Sequence, residues 1–304
     1  MQDGAYLNVC VIGLGSMGFG MASSLLRDGF SVTGYDLNAE AVARLAALGG
    51  KPAKNPAEAA TGADVVLCVV VNAAQTETAL FGDPGAAAVM APGGVILSCA
   101  TMPPEAARTF SAQAEARGLG YLDAPISGGA VRAAAGELTI MASGKPEVFT
   151  QARPALDSIA AKVYELGEEA GVGAAFKIVN QLLAGVHIAA ACEAITFAKA
   201  MNLDIAKVYE VITASAGNSW MFENRVPHIL EGDYSPRSAV DIFTKDLGII
   251  SDIGRGLKFP TPIASMALQM FVMTAAAGMG RDDDSSVARM IAGLAGLDLP
   301  GMER

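Results

Sequence analysis

Asn8-Val9-Cys10-Val11-Ile12-Gly13-Leu14-Gly15-Ser16-Met17-Gly18 is a β-branched run that breaks into three spaced glycines and reopens as a helical pattern. Each glycine has its own physical task. Gly13 permits a tight turn, Gly15 lets a pyrophosphate approach the backbone, and Gly18 lets helix and strand pack closely. The helix N-terminus then faces the phosphates, where its N–H groups and dipole favour negative charge. Asp36 follows the second strand-like run, 18 residues after Gly18. A carboxylate there accepts adenosine ribose hydroxyls and repels a 2′-phosphate, which predicts NAD rather than NADP. Residues Gly13, Leu14, Gly15, Ser16, Met17, Gly18 and Asp36 are therefore the expected dinucleotide site.

Outward from this stretch the chain alternates. β-Branched runs recur at residues 8–12, 31–35, 64–71, 95–98, 121–123, 138–142 and 162–166, with Ala-rich helical stretches such as 17–27, 39–48 and 104–117 between them. Near-continuous Val, Ile and Leu in short strands means that both faces are buried, as in a parallel sheet covered by helices. After Gly167 strand signals vanish, and helical periodicity runs to the end, beginning with one long helix over 171–201. The expected fold is α/β: a doubly wound N-terminal domain over 1–168, then an all-helical domain over 169–304.

The 304 residues carry a net charge of −10 and 52% hydrophobic residues. Disorder is excluded, because such a chain buries ample apolar surface. An acidic chain without a basic run is repelled by nucleic acid and anionic membrane alike, so neither is an expected partner. Positive charge for an anionic substrate must be placed locally. Cys10, Cys68, Cys99 and Cys192 show no metal spacing and read as buried free thiols of a reducing cytoplasm. No metal site is expected. The apolar stretches 84–104 and 259–280 are interrupted by prolines, glycines or polar residues and read as buried segments rather than membrane spans.

Three further motifs carry chemistry. Asp123-Ala124-Pro125-Ile126-Ser127-Gly128-Gly129 follows a strand. Its consecutive glycines present either a backbone nest for a carboxylate or a purely structural turn. Lys177, Asn180 and Gln181 share one helix face amid uncharged residues. A buried ammonium can titrate near neutrality and move protons, and a lysine can equally snorkel from a helix flank. Lys245-Asp246 reads as an ion pair in an apolar helix or as a solvated face. His187 reads as a hydrogen-bonded core histidine, Trp220 as a core anchor, and Asp282-Asp283-Asp284 as an exposed turn.

Taken together and in order, these motifs resemble the β-hydroxyacid dehydrogenase family from Leu7 to about Gly293. The family's G-x-G-x-M-G, D-A-P-x-S-G-G, G-x-x-x-K-x-x-N and K-D-L landmarks match Gly13 to Gly18, Asp123 to Gly129, Gly173 to Asn180, and Lys245 to Leu247. Three positions depart from the pattern. The serine of S-T-x-x-P is Ala100, ahead of Thr101; the second asparagine after the lysine is Gln181; and a frequent proline is Asn72. The resemblance implies a 6-phosphogluconate dehydrogenase-like architecture in which a long helix joins a Rossmann-type domain to a helical substrate and oligomerisation domain. It implies Lys177 as general acid/base and Asn180 as the residue that orients the substrate hydroxyl. Ser127, Gly128 and Gly129 would hold the substrate carboxylate, Val71, Asn72 and Thr101 would lie by the cofactor, and Lys245 would reach both cofactor and substrate.

The runs 70–75, 180–190 and 217–225 resemble one branch of the family. That branch implies oxidation of L-threonate at its 2-hydroxyl to 2-dehydro-L-erythronate with NAD, by a cytoplasmic homodimer or homotetramer. Within the family, 3-hydroxyisobutyrate and tartronate semialdehyde are the competing small substrates. A pseudoenzyme that only binds NAD is the non-enzymatic alternative.

Overall fold

The computed structural model describes residues 7–302. The chain separates into two compact units, residues 1–177 and 178–304. The first is built in alternation: β1 (Asn8–Ile12), α1 (Ser16–Arg27), β2 (Ser31–Tyr35), α2 (Ala39–Ala47), β3 (Lys51–Pro52), α3 (Pro56–Ala60), β4 (Val65–Cys68), α4 (Ala73–Phe81), β5 (Val95–Ser98), α5 (Pro104–Glu115) and β6 (Gly120–Asp123). These six strands form one parallel sheet in the order β3-β2-β1-β4-β5-β6. Successive side chains point to opposite faces. Val9, Val11, Leu67 and Leu97 therefore join Met21 and Leu25 of α1 in one core layer. Cys10, Ile12, Val66 and Ile96 join Leu80 of α4 and Phe110 of α5 in the other. Burying each such side chain stabilises the unit by about 1.5–3 kcal/mol before entropy is counted.

β7 (Ile126–Ser127), α6 (Gly129–Ala135), β8 (Leu138–Ala142), α7 (Pro146–Ile159) and β9 (Ala160–Glu165) follow, and their strands make a second sheet in the order β7-β8-β9. α6 lies hard against α1. A Cβ at Gly20 would stand 2.7 Å from the Ala134 nitrogen, and Arg27 Nη1 donates to the Ala134 carbonyl at 2.8 Å. The loop that opens α6 is thereby referenced to the helix that opens after Gly15.

α8 (Val172–Ala200) is a continuous helix, followed by α9 (Ile205–Thr213), α10 (Trp220–Glu231), α11 (Val240–Leu257), α12 (Pro262–Thr274) and α13 (Val287–Ala295). The second unit packs Ile188, Ile195, Val226, Phe243, Phe271 and Val287 in its own core, with the Phe243 and Phe271 rings stacked at 5.2 Å. α8 and the 262–279 segment are long and apolar enough to cross a membrane; 44% of the α8 window is buried but only 22% of the 262–279 window, short of the buried helix expected there. All four cysteines are free and buried, and burial pushes their thiols up.

Four expectations need correction. The strand expected over 64–71 spans only Val65–Cys68; three residues further on, the Val71 N–H is taken by the Gln75 side chain at the entry to α4. Trp220 is 48% exposed and anchors no core. Asp283 and Asp284 are 0% exposed rather than turned to solvent. Asp283 accepts from His228 Nδ1 at 2.9 Å and Ser285 Oγ at 2.6 Å, and Asp284 forms a two-pronged pair with Arg225. A three-carboxylate run looks solvated in sequence because His228 and Arg225, which hold Asp283 and Asp284, lie 55 and 59 residues away. His187 is half-buried and lines an apolar groove of about 840 Å³ with Phe197, Met201, Val211 and Phe222, and its imidazole has no hydrogen bond among the described residues.

Candidate active site

All six strands of the main sheet are parallel, so their C-terminal ends share one edge. The strand order reverses between β1 and β4, which opens the crevice where ligands of such sheets sit. Gly13 turns there with φ +92° and donates its N–H to the Tyr35 carbonyl at 2.9 Å. A Cβ on Gly13 would lie 2.4 Å from the Val69 carbonyl oxygen, and one on Gly18 would lie 1.9 Å from that of Gly13. Gly15 is different: a Cβ there would meet no atom within 4 Å. It caps α1 with no side-chain hydrogen bond among the described residues, so the first-turn N–H groups of α1 border open space.

Asp36 stands at the end of β2, half-buried. Its Oδ2 accepts the Leu14 N–H at 2.6 Å and its Oδ1 the Asn38 N–H at 2.7 Å. The gap at Gly15, the helix N-terminus and this carboxylate fit a dinucleotide. Val71 and Asn72 follow β4, and Thr101 follows β5, on the same edge. Asn72 replaces the family's proline with a cap. Its Oδ1 accepts the Gln75 N–H at 2.9 Å, and Gln75 Oε1 accepts from Val71. The spacing Asn-x-x-Gln is a readable capping signature.

Beyond β6, Ser127 closes β7 of the second sheet, and Gly128 and Gly129 open α6. Gly128 has φ +141° and Gly129 φ +79°, which disfavours any side chain. A Cβ on Gly128 would press on Arg132 and Leu138 at 3.1 Å, whereas Gly129 is open.

Lys177 stands on α8 and is 7% exposed. The turn before it is bound to β6, because Asp123 Oδ2 accepts the N–H groups of Gly171 at 2.9 Å and Ala174 at 2.7 Å. Burial pushes the Asp123 carboxyl up to about 6, although those two N–H groups, Ser143 and Arg108 all pull it down.

In the second unit, four polar side chains form a chain of contacts. Lys245 Nζ pairs with Asp246 Oδ1 at 2.7 Å, Gln181 Nε2 donates to Asp246 Oδ2 at 2.5 Å, and Asn180 Nδ2 donates to Gln181 Oε1 at 3.0 Å. The amide orientations follow from chemistry. An ionised carboxylate only accepts, so Gln181 must turn its NH₂ to Asp246 and its oxygen to Asn180. Asn180 then keeps Oδ1 and one N–H for other use. Gln181 and Asp246 are buried. The sequence places Gln181 on the Lys177 and Asn180 face and offers Asp246 as the ion-pair partner of Lys245, but nothing in it joins Gln181 to Asp246, 65 residues away.

A parallel sheet with a glycine turn at its switch point, an acid after β2 and a helical second unit define a nicotinamide-dinucleotide oxidoreductase. The model of the NAD binding domain of 6-phosphogluconate dehydrogenase matches residues 8–167. That of the NAD-binding domain of NADP-dependent 3-hydroxyisobutyrate dehydrogenase matches residues 171–291. The chain is 54% identical to the L-threonate dehydrogenase of Cupriavidus necator, over 97% of this chain and 98% of that one. It is 46% identical to the L-threonate dehydrogenase of Escherichia coli strain K12, over 99% of both. A crystal structure described as 3-hydroxyisobutyrate dehydrogenase from Salmonella typhimurium superposes with TM-score 0.90 at 48% identity, covering 93% of this chain and 99% of that one. The chain belongs to the β-hydroxyacid dehydrogenase family. As a member it takes a nicotinamide dinucleotide and acts on the CH–OH group of a hydroxy acid.

Proposed function

We propose that this chain oxidises L-threonate at C2 to 2-dehydro-L-erythronate with NAD. The substrate is supported by the near full-length identity to proteins named L-threonate dehydrogenase. The chemistry is carried by one observation, that Lys177 is a buried lysine on the helix turn bound to the C-terminal edge of the sheet. Bound NAD supplies a nicotinamide ring that accepts the hydride leaving C2. Lys177, as the neutral amine, takes the 2-hydroxyl proton and returns it in the reverse direction. Asn180 orients that hydroxyl. Ser127, Gly128 and Gly129 hold the carboxylate, and Lys245 reaches cofactor and substrate with the compensating charge that an acidic chain must place locally. Gly13 to Gly18, Asp36, Val71, Asn72 and Thr101 hold the dinucleotide. Residues 1–168 act as the cofactor domain and 169–304 as the substrate and oligomerisation domain of a cytoplasmic homodimer or homotetramer, with no nucleic-acid or membrane partner.

The test is a panel of C3 and C4 hydroxy acids supplied with NAD and followed at the NADH absorbance. L-Threonate should give the highest kcat/KM. The description of the Salmonella structure favours 3-hydroxyisobutyrate as a second reading, and a higher kcat/KM with that acid would replace the first. Asp36 supports NAD over NADP, and equal use of NADP would remove that assignment.

A further inference from the structure

Asp123 closes β6 and is 1% exposed. A single oxygen, Oδ2, accepts both the Gly171 and Ala174 N–H groups, at 2.9 and 2.7 Å. Beside it, Ser143 Oγ accepts the Gly173 N–H at 3.0 Å. Gly173 is seated so closely that a Cβ would lie 2.4 Å from the Met141 carbonyl oxygen and 2.6 Å from that of Asp123. Ala170 and Ala174 complete the seam inside the core. The first N–H groups of any helix lack partners of their own. Here those at the start of α8 are consumed by two side chains from the sheet edge. Lys177 comes three residues after Ala174, about 4.5 Å along the helix axis.

The geometry points to Asp123 as a positioning residue for Lys177: it locks α8 in depth and rotation on the end of β6, and so sets where the Lys177 amine stands. The inference rests on Lys177 as the acid/base of the proposed function. An ordinary cap holds one or two N–H groups at a solvent-exposed helix end. This one is sunk in the core against a glycine with no room to shift, so α8 cannot slide or turn without orphaning a buried N–H. A slip of one residue moves the amine by about 1.5 Å. A misplacement of about 1 Å can cost about 10²-fold in rate.

Two substitutions separate position from charge. Asp123→Asn keeps an acceptor oxygen in place and removes the charge. Asp123→Glu keeps the charge and pushes the oxygen outward by one methylene, about 1.5 Å. We expect Asp123→Asn to hold kcat within about tenfold of the parent and Asp123→Glu to lose about 10²-fold, with KM and NAD affinity little changed in both. Amide exchange at Gly171 and Ala174 should stay slow in the first and quicken in the second. If Asp123→Glu does not fold, Ser143→Ala, which frees the Gly173 N–H and takes the Ser143 hydroxyl from beside Asp123 but leaves Asp123 itself in place, should lower kcat with the same split. The inference is overturned if Asp123→Asn falls as far as Asp123→Glu, if folded Asp123→Glu or Ser143→Ala keeps parental kcat, or if the loss appears in KM or NAD affinity. Lys177→Ala assayed alongside separates the two claims. Parental kcat in that variant fails the proposed function, whereas an inactive Lys177→Ala beside indifferent Asp123 variants fails this inference alone.

Discussion

Gly15 and Gly18 are the same residue type three positions apart, yet their surroundings give opposite predictions. A methyl on Gly15 enters open space, so Gly15→Ala should fold with unchanged thermal stability. It stands where a pyrophosphate must approach, so NAD affinity should fall by about tenfold or more. Gly18→Ala drives a methyl to within 1.9 Å of the Gly13 carbonyl oxygen and should destabilise by about 1–3 kcal/mol, because an overpacked contact moves backbone. Thermal melts paired with NAD titrations read both, and a Gly15→Ala protein that binds NAD like its parent would remove the phosphate assignment. For Lys177, a positioned acid/base contributes about 10²–10⁴-fold. Lys177→Ala should lose that much kcat and keep NAD affinity. Lys177→Arg should fail as well, since guanidinium stays protonated. Activity of folded Lys177→Ala within about tenfold of the parent would move suspicion to Lys245, given that range.

At the scale of elements, α8 is the piece whose sequence carries two tasks. Its first turn is tied to β6, and its residues Asn180 and Gln181 enter the contact chain that ends at Asp246 and Lys245. Gln181 is the joint between α8 and α11. Gln181→Leu is close in volume but removes the donor to a buried carboxylate, so it should cost about 1–3 kcal/mol and leave the Asn180 amide without its fixed orientation. Urea unfolding followed by Trp220, the single tryptophan, reads the stability change in the same unit. An unchanged midpoint would mean that Asp246 is satisfied without Gln181. The β4-to-α4 entry shows the same logic at a smaller size, with Asn72 and Gln75 capping the start of α4 where hydropathy alone extends a strand to Val71.

For the whole molecule, two buried acids respond to pH in opposite senses. Burial alone would raise the Asp283 carboxyl, but hydrogen bonds from His228 and Ser285 outweigh it and hold the group at about 2. A depressed carboxyl contributes stability that is present above its ordinary value near 3.8 and lost as pH falls through about 2. At 1.36 kcal/mol per unit that is about 2 kcal/mol. Asp283→Asn should therefore lower stability at neutral pH and flatten the acid limb of Trp220 fluorescence. Asp123 is raised to about 6, so the native state holds its proton more tightly than the unfolded chain does. Its contribution is fully present below about 4 and is lost as pH rises through about 6. Asp123→Asn should thus be more stable than the parent above pH 6, by up to about 3 kcal/mol, and no different at pH 4. A neutral-pH melt that drops instead would show that the charge itself holds α8.

By itself the sequence determined what rests on local chemistry and repetition. The glycine spacing after β1, the acid after β2, the doubly buried strands and the switch to helical periodicity after Gly167 specify the sheet, its switch point and the helical second half, because each is set by neighbours within a few residues. The pairing of distant groups was decided only in three dimensions. Asp123 meets Ala174 across 51 residues, Gln181 meets Asp246 across 65, and His228 meets Asp283 across 55. Nothing in the hydropathy of an aspartate says whether it faces water or a buried N–H. The cost of burying its charge is met only by donors that the folded chain brings to it, so the anchoring of α8, the orientation of Asn180 and the burial of Asp283 and Asp284 belong to the tertiary structure.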